Sequence, residues 1–321
     1  MGRSAIIDLE MKTADLLIRI RQGDAAALAK AITKVENRKK DYKSLLEGIY
    51  PLTGKALKIG ITGAPGSGKS SLIERMIAGL KPQGVPIAVL AVDPSSPLSG
   101  GALLGDRLRM IQHSNDANVF IRSIANRGHL GGLSLSTHEI VDLLQAAGKE
   151  IIIIETVGVG QSEVDIVNVA DVVLMVLNPE SGDEIQIFKA GIIEIADIFV
   201  INKADLGGSD NKISEIKNYF AMAARPPQVF ATSVKEDSGI KELLAGIKQF
   251  QQQESNRIGE KNAAVKRNFV EKIVAERLRE EMRLSAGIEE LLATAAAANP
   301  FQLADRIVQK LKTVGIHDQK D

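Results

Sequence analysis

Apolar positions follow one rhythm at both ends of the chain and another in the middle. Up to residue 56, Leu16, Leu17, Ile20, Leu28, Ala31 and Ile32 recur at helical spacing between charged positions. Gly23-Asp24 interrupts the run and supplies a new N-cap. The pattern therefore predicts a second helix from about Asp24 to Asn37 and a third from about Lys40 to Ile49, closed by Pro51 and Gly54. The charged cluster Arg38-Lys39-Lys40 reads as a solvated helix end in preference to a basic docking patch. From Lys58 the rhythm changes to short aliphatic runs alternating with amphipathic helices. The predicted strands are Lys58–Thr62, Ile87–Val92, Val119–Ser123, Ile151–Glu155, Val172–Leu177, Ile198–Asn202 and Gln228–Ala231. Several are continuously apolar, as strands buried on both faces must be, so a mostly parallel sheet covered by helices on both faces is expected. Beyond Gly239 the pattern is helical again: Lys241–Gln253, a long charged helix Ile258–Arg283 with Val265, Phe269, Ile273, Ala275 and Leu278 as its narrow apolar stripe, then Leu291–Ala298 and Phe301–Val314. That stripe suits either a partner helix or packing on the same chain. The expected organisation is an N-terminal helical extension over 1–56, an α/β domain over 57–255, and a C-terminal helical arm over 256–321.

The first predicted strand runs into Gly63-Ala64-Pro65-Gly66-Ser67-Gly68-Lys69-Ser70, which fits the phosphate-loop pattern of Gly, four residues, then Gly-Lys-Ser. A helix with Leu72, Ile73, Met76, Ile77 and Leu80 on one face follows, so the strand, loop and helix that the motif requires are all present. Glycines let successive backbone N–H groups surround a phosphate at a helix N-terminus. In that setting Lys69 is expected to reach β- and γ-phosphates and Ser70 to ligate Mg²⁺.

In a parallel sheet, ligands lie beyond the carboxyl ends of the strands, so the polar residues there carry the next inferences. Asp93 precedes Pro94 as a turn-former would, but its position beside the phosphate loop favours a functional role. Asp106 and Arg109, one helical turn apart, form either an exposed ion pair or a metal-side carboxylate with a cation for the γ-phosphate. Asn126 to Gly132 is a glycine-rich stretch suited to changing shape with the nucleotide, or simply a tight connection. Its His129 lacks any companion at metal-ligand spacing. Four isoleucines lead to Glu155, where proteins with this loop place a second metal-side acid, usually Asp; Gly158 can offer a backbone N–H to a γ-phosphate. Asp183, Gln186 and Lys189 share a helix face that, by spacing alone, reads as solvated. Asn202-Lys203-Ala204-Asp205 ends another buried strand. Its carboxylate can accept the N1 and exocyclic N2 donors of guanine, and Ala231-Thr232-Ser233 can close a base pocket with backbone N–H groups.

Composition narrows the alternatives. Forty basic residues balance forty acidic ones, so neither nucleic acid nor an anionic membrane is an expected partner. The absence of cysteine excludes thiolate metal centres and disulfides. The first residues lack the apolar core of a signal peptide and no run is long enough to span a bilayer, so a cytoplasmic location is expected.

The segments GAPGSGKSSL, AVDPSSPLSGGALLGDRLRM, IRSIANRGHLGGLS, IIIIETVGVGQSE, NPESGDEIQIFKAGIIEIAD and NKAD together resemble the MeaB/ArgK family of P-loop GTPases. The resemblance is close from about Pro51 to Gly239 and looser in the flanking helices. It implies a P-loop NTPase fold and a Mg²⁺-dependent GTPase that cycles between GTP and GDP. It also implies a chaperone for an adenosylcobalamin-dependent acyl-CoA mutase, chiefly methylmalonyl-CoA mutase, that gates cofactor loading and protects the enzyme from inactivation. By this resemblance Gly63 to Ser71, with Ala64, Pro65, Gly66, Ser67 and Gly68 between, bind the nucleotide phosphates together with Gly158. Ser70, Asp93, Asp106 and Glu155 surround the metal. Lys69, Arg109 and Lys189 support hydrolysis, with Asp183 and Gln186 in the same mobile element, which displaces the solvated-face reading. Asn202, Lys203, Asp205 and Ser233 serve the guanine, and the terminal helices make a homodimer.

Three other readings are weighed against it. A kinase passing the γ-phosphate to a transport protein or small molecule needs an acceptor pocket and has little use for guanine selectivity. A metal-delivering GTPase needs His or Cys clusters, and this chain has four scattered histidines and no cysteine. A scaffold using nucleotide only structurally does not need Lys69, Ser70 and the acidic set.

Overall fold

A computed structural model describes residues 13–94, 116–126, 135–156, 164–179, 193–295 and 299–314 of the chain. Seven strands form one sheet: β1 (Leu57–Thr62), β2 (Ile87–Pro94), β3 (Val119–Asn126), β4 (Ile151–Thr156), β5 (Val172–Leu177), β6 (Ile198–Asn202) and β7 (Gln228–Thr232). Their order is β3-β2-β4-β1-β5-β6-β7 and every pairing is parallel. The ten helices among the described residues are α1 (Thr13–Arg21), α2 (Ala25–Glu36), α3 (Tyr42–Ile49), α4 (Lys69–Leu80), α5 (Leu135–Ala146), α6 (Ser209–Tyr219), α7 (Ile240–Gln253), α8 (Ser255–Leu284), α9 (Ala286–Ala293) and α10 (Pro300–Val314).

The seven aliphatic runs all become strands, and side-chain alternation sorts them between two cores. Ala88, Leu90 and Val92 of β2 and Ile152 and Ile154 of β4 face one side; Ile87, Val89 and Ile153 face the other. The first side is covered by α1, α2, α3 and α5, the second by α4 and α7. Met175, Leu177, Phe199 and Ile201 pack with Ile216 of α6. The apolar stripes of the first three helices thus close one face of the sheet. Asp24 caps α2 as its position predicts, its Oδ1 accepting from the Ala26 and Ala27 amides at 2.8 and 3.0 Å. These bonds, with the Arg19 side chain, hold its carboxyl below the usual carboxylate range.

Three expectations need correction. Arg38 is not a solvated helix end: its guanidinium pairs with the buried Glu139 of α5 and lies 4.8 Å from the Tyr42 ring centroid, leaving only Lys39 and Lys40 exposed. Strands β2 and β3 run on through Pro94 and Asn126, because the ladder between them continues to Pro94↔Asn126. The helix expected at Leu291–Ala298 lies earlier, at Ala286–Ala293; Ile288 is fully buried with Leu303 and Ile307, and that burial draws the preceding residues into the helix.

The chain divides into two compact units, Met1–Asn262 and Ala263–Asp321. Within the first, the start of α8 is bound to the amino ends of the strands. Asp171 accepts from the Lys58 amide at 2.8 Å and from Asn262 Nδ2 at 2.9 Å, and the Arg257 guanidinium donates to Asp197 at 2.6 Å. Within the second, Ile288, Leu303 and Ile307 make a small core, while Val270, Val274 and Leu278 of α8 are 50%, 49% and 42% exposed at four-residue spacing. No helix among the described residues is long and apolar enough to cross a membrane.

Replacing Arg38 by Met, which keeps the packing and removes the charge, leaves Glu139 without its guanidinium partner. We expect a loss of about 2 kcal/mol in urea unfolding, discounted from a fully buried pair because the guanidinium is partly exposed. A change below about 0.5 kcal/mol would remove this pair from the forces that bind α5 to the N-terminal helices.

Candidate functional site

At β1 the chain changes direction across the sheet: β4 lies on one side of it and β5 on the other. Such a reversal opens a crevice at the carboxyl ends of the strands, and the phosphate loop leaves β1 there. Two glycines need their hydrogen side chains. Gly63 has φ +139°, and a Cβ would collide with the Val176 carbonyl of β5; Gly68, the N-cap of α4, has φ +92°, and a Cβ would strike the Asn202 amide. The loop can therefore lie flush against neighbouring strands while turning into the helix. Lys69 is buried, its ammonium donating to the carbonyls of Gly63 at 2.7 Å and Ala64 at 3.1 Å. The Ser67 and Thr62 hydroxyls are buried with no hydrogen-bond partner among the described residues. An anion at this helix N-terminus would give Ser67 an acceptor, so the residues present fit a phosphate.

Glu155 is level with Ile61 of β1 and Ala91 of β2 in the two ladders that flank β4. From there its Oε1 accepts the Ser70 hydroxyl at 2.8 Å. Two of the four residues expected on the metal side thus meet as a pair of hard oxygen donors, the type Mg²⁺ takes. Asp93 lies in the last turnless stretch of β2, paired with Ala125. Asp106, Arg109, His129, Gly158, Asp183, Gln186 and Lys189 lie outside the described residues.

The third part of the site is the end of β6. Asn202 is buried and points in two directions: its Nδ2 donates to the Ser67 carbonyl at 2.9 Å and its Oδ1 accepts the Thr232 hydroxyl at 3.2 Å. It ties the phosphate loop to β7. Lys203 takes a left-handed φ of 61°, which turns the chain so that Asp205 faces Ser233. Asp205 Oδ1 accepts the Ser233 hydroxyl at 2.7 Å, and Lys235 stands 3.8 Å from its other oxygen. The Ser233 hydroxyl foremost, then the Lys235 and Lys203 charges, hold the Asp205 carboxyl below its ordinary range and ionised. Ser233 departs from expectation. Its amide is taken by the Ser238 carbonyl at 3.1 Å, so it serves through its side chain, and that hydroxyl also accepts the Glu236 amide at 3.1 Å. Thr232, expected to offer a backbone N–H, meets Asn202 through its hydroxyl, and Lys235 was not anticipated, although a polar run at the carboxyl end of a parallel strand marks its place.

The family model for the methylmalonyl-CoA mutase-associated GTPase MeaB matches residues 28–286. A Pyrococcus horikoshii protein named as a GTPase is 42% identical over 309 residues, covering 92% of this chain and 98% of its own length. GTPase ArgK of Escherichia coli is 38% identical over 75% of this chain and 76% of its own. The mouse mitochondrial methylmalonic aciduria type A homolog is 35% identical over 95% of this chain and 81% of its own. Among solved structures, one described as an LAO/AO transport system kinase superposes with a TM-score of 0.67 at 27% identity, covering 94% of this chain and 97% of that one.

Two outcomes are expected. Asn202→Ala leaves the Ser67 carbonyl and Thr232 hydroxyl without their partner and weakens GTP binding about tenfold, roughly 1.4 kcal/mol, in a fluorescence titration; a change within about twofold would remove Asn202 from the link. Asp205 has a depressed pKa, so its contribution is present above the ordinary carboxylate value and is lost as pH falls through the lower, folded one. Ser233→Ala raises that pKa, so the ratio of variant to wild-type Kd for GTP should widen as pH drops from about 6 to 4; a constant ratio would contradict the assignment.

Proposed function

The chain belongs to the MeaB family of methylmalonyl-CoA mutase-associated GTPases, and from that footing we propose that it is a guanine-nucleotide switch for an adenosylcobalamin-dependent acyl-CoA mutase. The proposed client is methylmalonyl-CoA mutase, whose cofactor loading the switch gates and which it protects from inactivation. GTP hydrolysis is the activity of the family, and it accords with one observation above all: Asn202 joins the phosphate loop and the Asp205 base reader into a single site.

In this reading the Asp205 carboxylate accepts the guanine N1–H and N2–H. Lys69 leaves the Gly63 and Ala64 carbonyls to meet the β- and γ-phosphates. Ser70, with Glu155, Asp93 and Asp106, would hold Mg²⁺, which when bound neutralises charge on the phosphate oxygens. Water attacks the γ-phosphoryl group in line, and the backbone N–H of Gly158 orients that group. None of the assigned side chains is a strong general base, so intrinsic turnover is slow, and a bound client accelerates it by ordering Arg109 and the Asp183, Gln186, Lys189 face. The exposed stripe Val270, Val274, Leu278 supports an arm that pairs with a second copy in a homodimer. The proposed setting is the cytoplasm. The kinase name carried by the solved relative favours a second reading, transfer of the γ-phosphate to a protein or metabolite; the guanine-reading carboxylate argues against it.

Phosphate release from GTP and from ATP, with and without purified methylmalonyl-CoA mutase, separates these readings. We expect GTP-selective release that the mutase stimulates about tenfold or more. GTP turnover indifferent to the mutase would sink the proposed client. ATP preference, or labelled γ-phosphate recovered on a protein or metabolite, would favour the kinase.

A further inference from the structure

Nothing in the local sequence ends α7. Between Gly246 and Gly259 the chain reads Ile-Lys-Gln-Phe-Gln-Gln-Gln-Glu-Ser-Asn-Arg-Ile, without glycine or proline, and its glutamines and glutamate are good helix formers. Yet α7 stops at Gln253 and α8 starts at Ser255. The residue between them, Glu254, has φ −103° and ψ 19°, so it is not the left-handed cap that closes many helices. Nor is its side chain of the type that opens them. Its amide still bonds to the Phe250 carbonyl at 2.9 Å and its carbonyl still accepts the Ile258 amide at 2.9 Å. A helical hydrogen bond therefore lies on each side of one displaced residue.

What holds the break is tertiary. The Glu254 carboxylate meets Arg225, from the segment before β7, at 2.8 Å and Arg257, in the first turn of α8, at 3.0 Å. The same Arg257 guanidinium donates to Asp197 at 2.6 Å, and Asn262 donates to Asp171 at 2.9 Å. Both aspartates are anchored to the sheet, Asp197 by the Val173 amide of β5 and Asp171 by the Lys58 amide of β1. The start of α8 is thus pinned to two strands, and Ile258 packs on the core that Phe250 occupies. Local preference and tertiary pinning disagree here, and such a conflict marks a strained or functional element.

We propose that the junction at Glu254 is a two-state hinge: α7 and α8 are separate helices while Asp197 and Asp171 hold Arg257 and Asn262, and they join into one continuous helix when that hold is released. The first amides of a helix have no acceptor within it. Joining gives the amides of Ser255, Asn256 and Arg257 the carbonyls of Gln251, Gln252 and Gln253, and those bonds offset part of the lost clasp. A molecule that binds one arrangement better than the other can then draw the chain to it. Since α8 runs on to Leu284, a change at Glu254 is passed along an unbroken helix.

The test uses the full-length protein. The chain has no cysteine, so two introduced ones can be spin-labelled without background. Glu242→Cys and Glu260→Cys place the labels at exposed positions of α7 and α8. In one straight helix their Cα atoms would stand about 27 Å apart, and the broken junction brings them nearer. With no other change, pulsed spin-label measurements should give a single short distance. Adding Arg257→Met, which keeps a side chain on the Phe250 ring, together with Asn262→Ala should move about half of the population or more to the long distance. In the same variant, hydrogen exchange at the Ser255 and Asn256 amides should slow about tenfold. Simple fraying of α8 would broaden the distances and leave those amides unprotected; that result, or an unchanged short distance, overturns the proposal. So does a protein already at the long distance with its clasp intact. If the double variant does not fold, Arg225→Met removes an exposed partner of Glu254 and is read in the same way, with a long-distance share above that of the intact clasp required.

Discussion

All seven strands run the same way, and from that single constraint the site follows. Parallel pairing places every carboxyl end on one edge of the sheet, and the change of direction at β1 leaves a crevice in the middle of that edge. The phosphate loop, the Ser70 and Glu155 pair and the Asn202 to Asp205 turn leave three different strands, yet they arrive side by side. Register decides how closely. Because Glu155 is level with Ile61, its carboxylate reaches Ser70 in the first turn of α4.

The two edges of the sheet are used differently. At the carboxyl edge, polar side chains bind loops to one another, Asn202 across to Ser67 and Ser233 to Asp205, so the site is held by hydrogen bonds between segments far apart in sequence. At the amino edge, Asp171 and Asp197 accept backbone amides of β1 and β5 and are met by Asn262 and Arg257 from the start of α8. Carboxylates there satisfy strand amides; Arg257 of the helix supplies the counter-charge of Asp197, and Lys58 of β1 that of Asp171.

Much of the fold was legible because parallel strands buried on both faces must be written as unbroken aliphatic runs. Ile151 to Ile154 and Val172 to Leu177 admit few other readings. Strand ends were less legible, since Asp93 and Pro94 join β2 through their pairing with Ala125 and Asn126, which no local pattern announces. Long-range charge pairing left no local trace. Arg38 looked like the end of a helix, because its partner Glu139 lies 101 residues on. In the site, motif spacing located Lys69, Ser70, Glu155, Asn202 and Asp205. It did not disclose that Ser233 meets Asp205 through its hydroxyl, because its amide is taken by the turn closed at Ser238, or that Thr232 meets Asn202, because that follows from the β6–β7 register.

The packing of the first three helices also has an order in time. Their apolar stripes, Leu16, Ile20, Leu28 and Ile32, share a core with strands and a helix that are translated later. Thr33 waits 89 residues for Arg122, and Arg38 waits 101 for Glu139. At ordinary rates of synthesis that is an interval of roughly 5–20 s. Until those partners exist, the three helices have only one another to pack against. The N-terminal segment therefore keeps part of its apolar surface uncovered until the chain through α5 and β4 has been made.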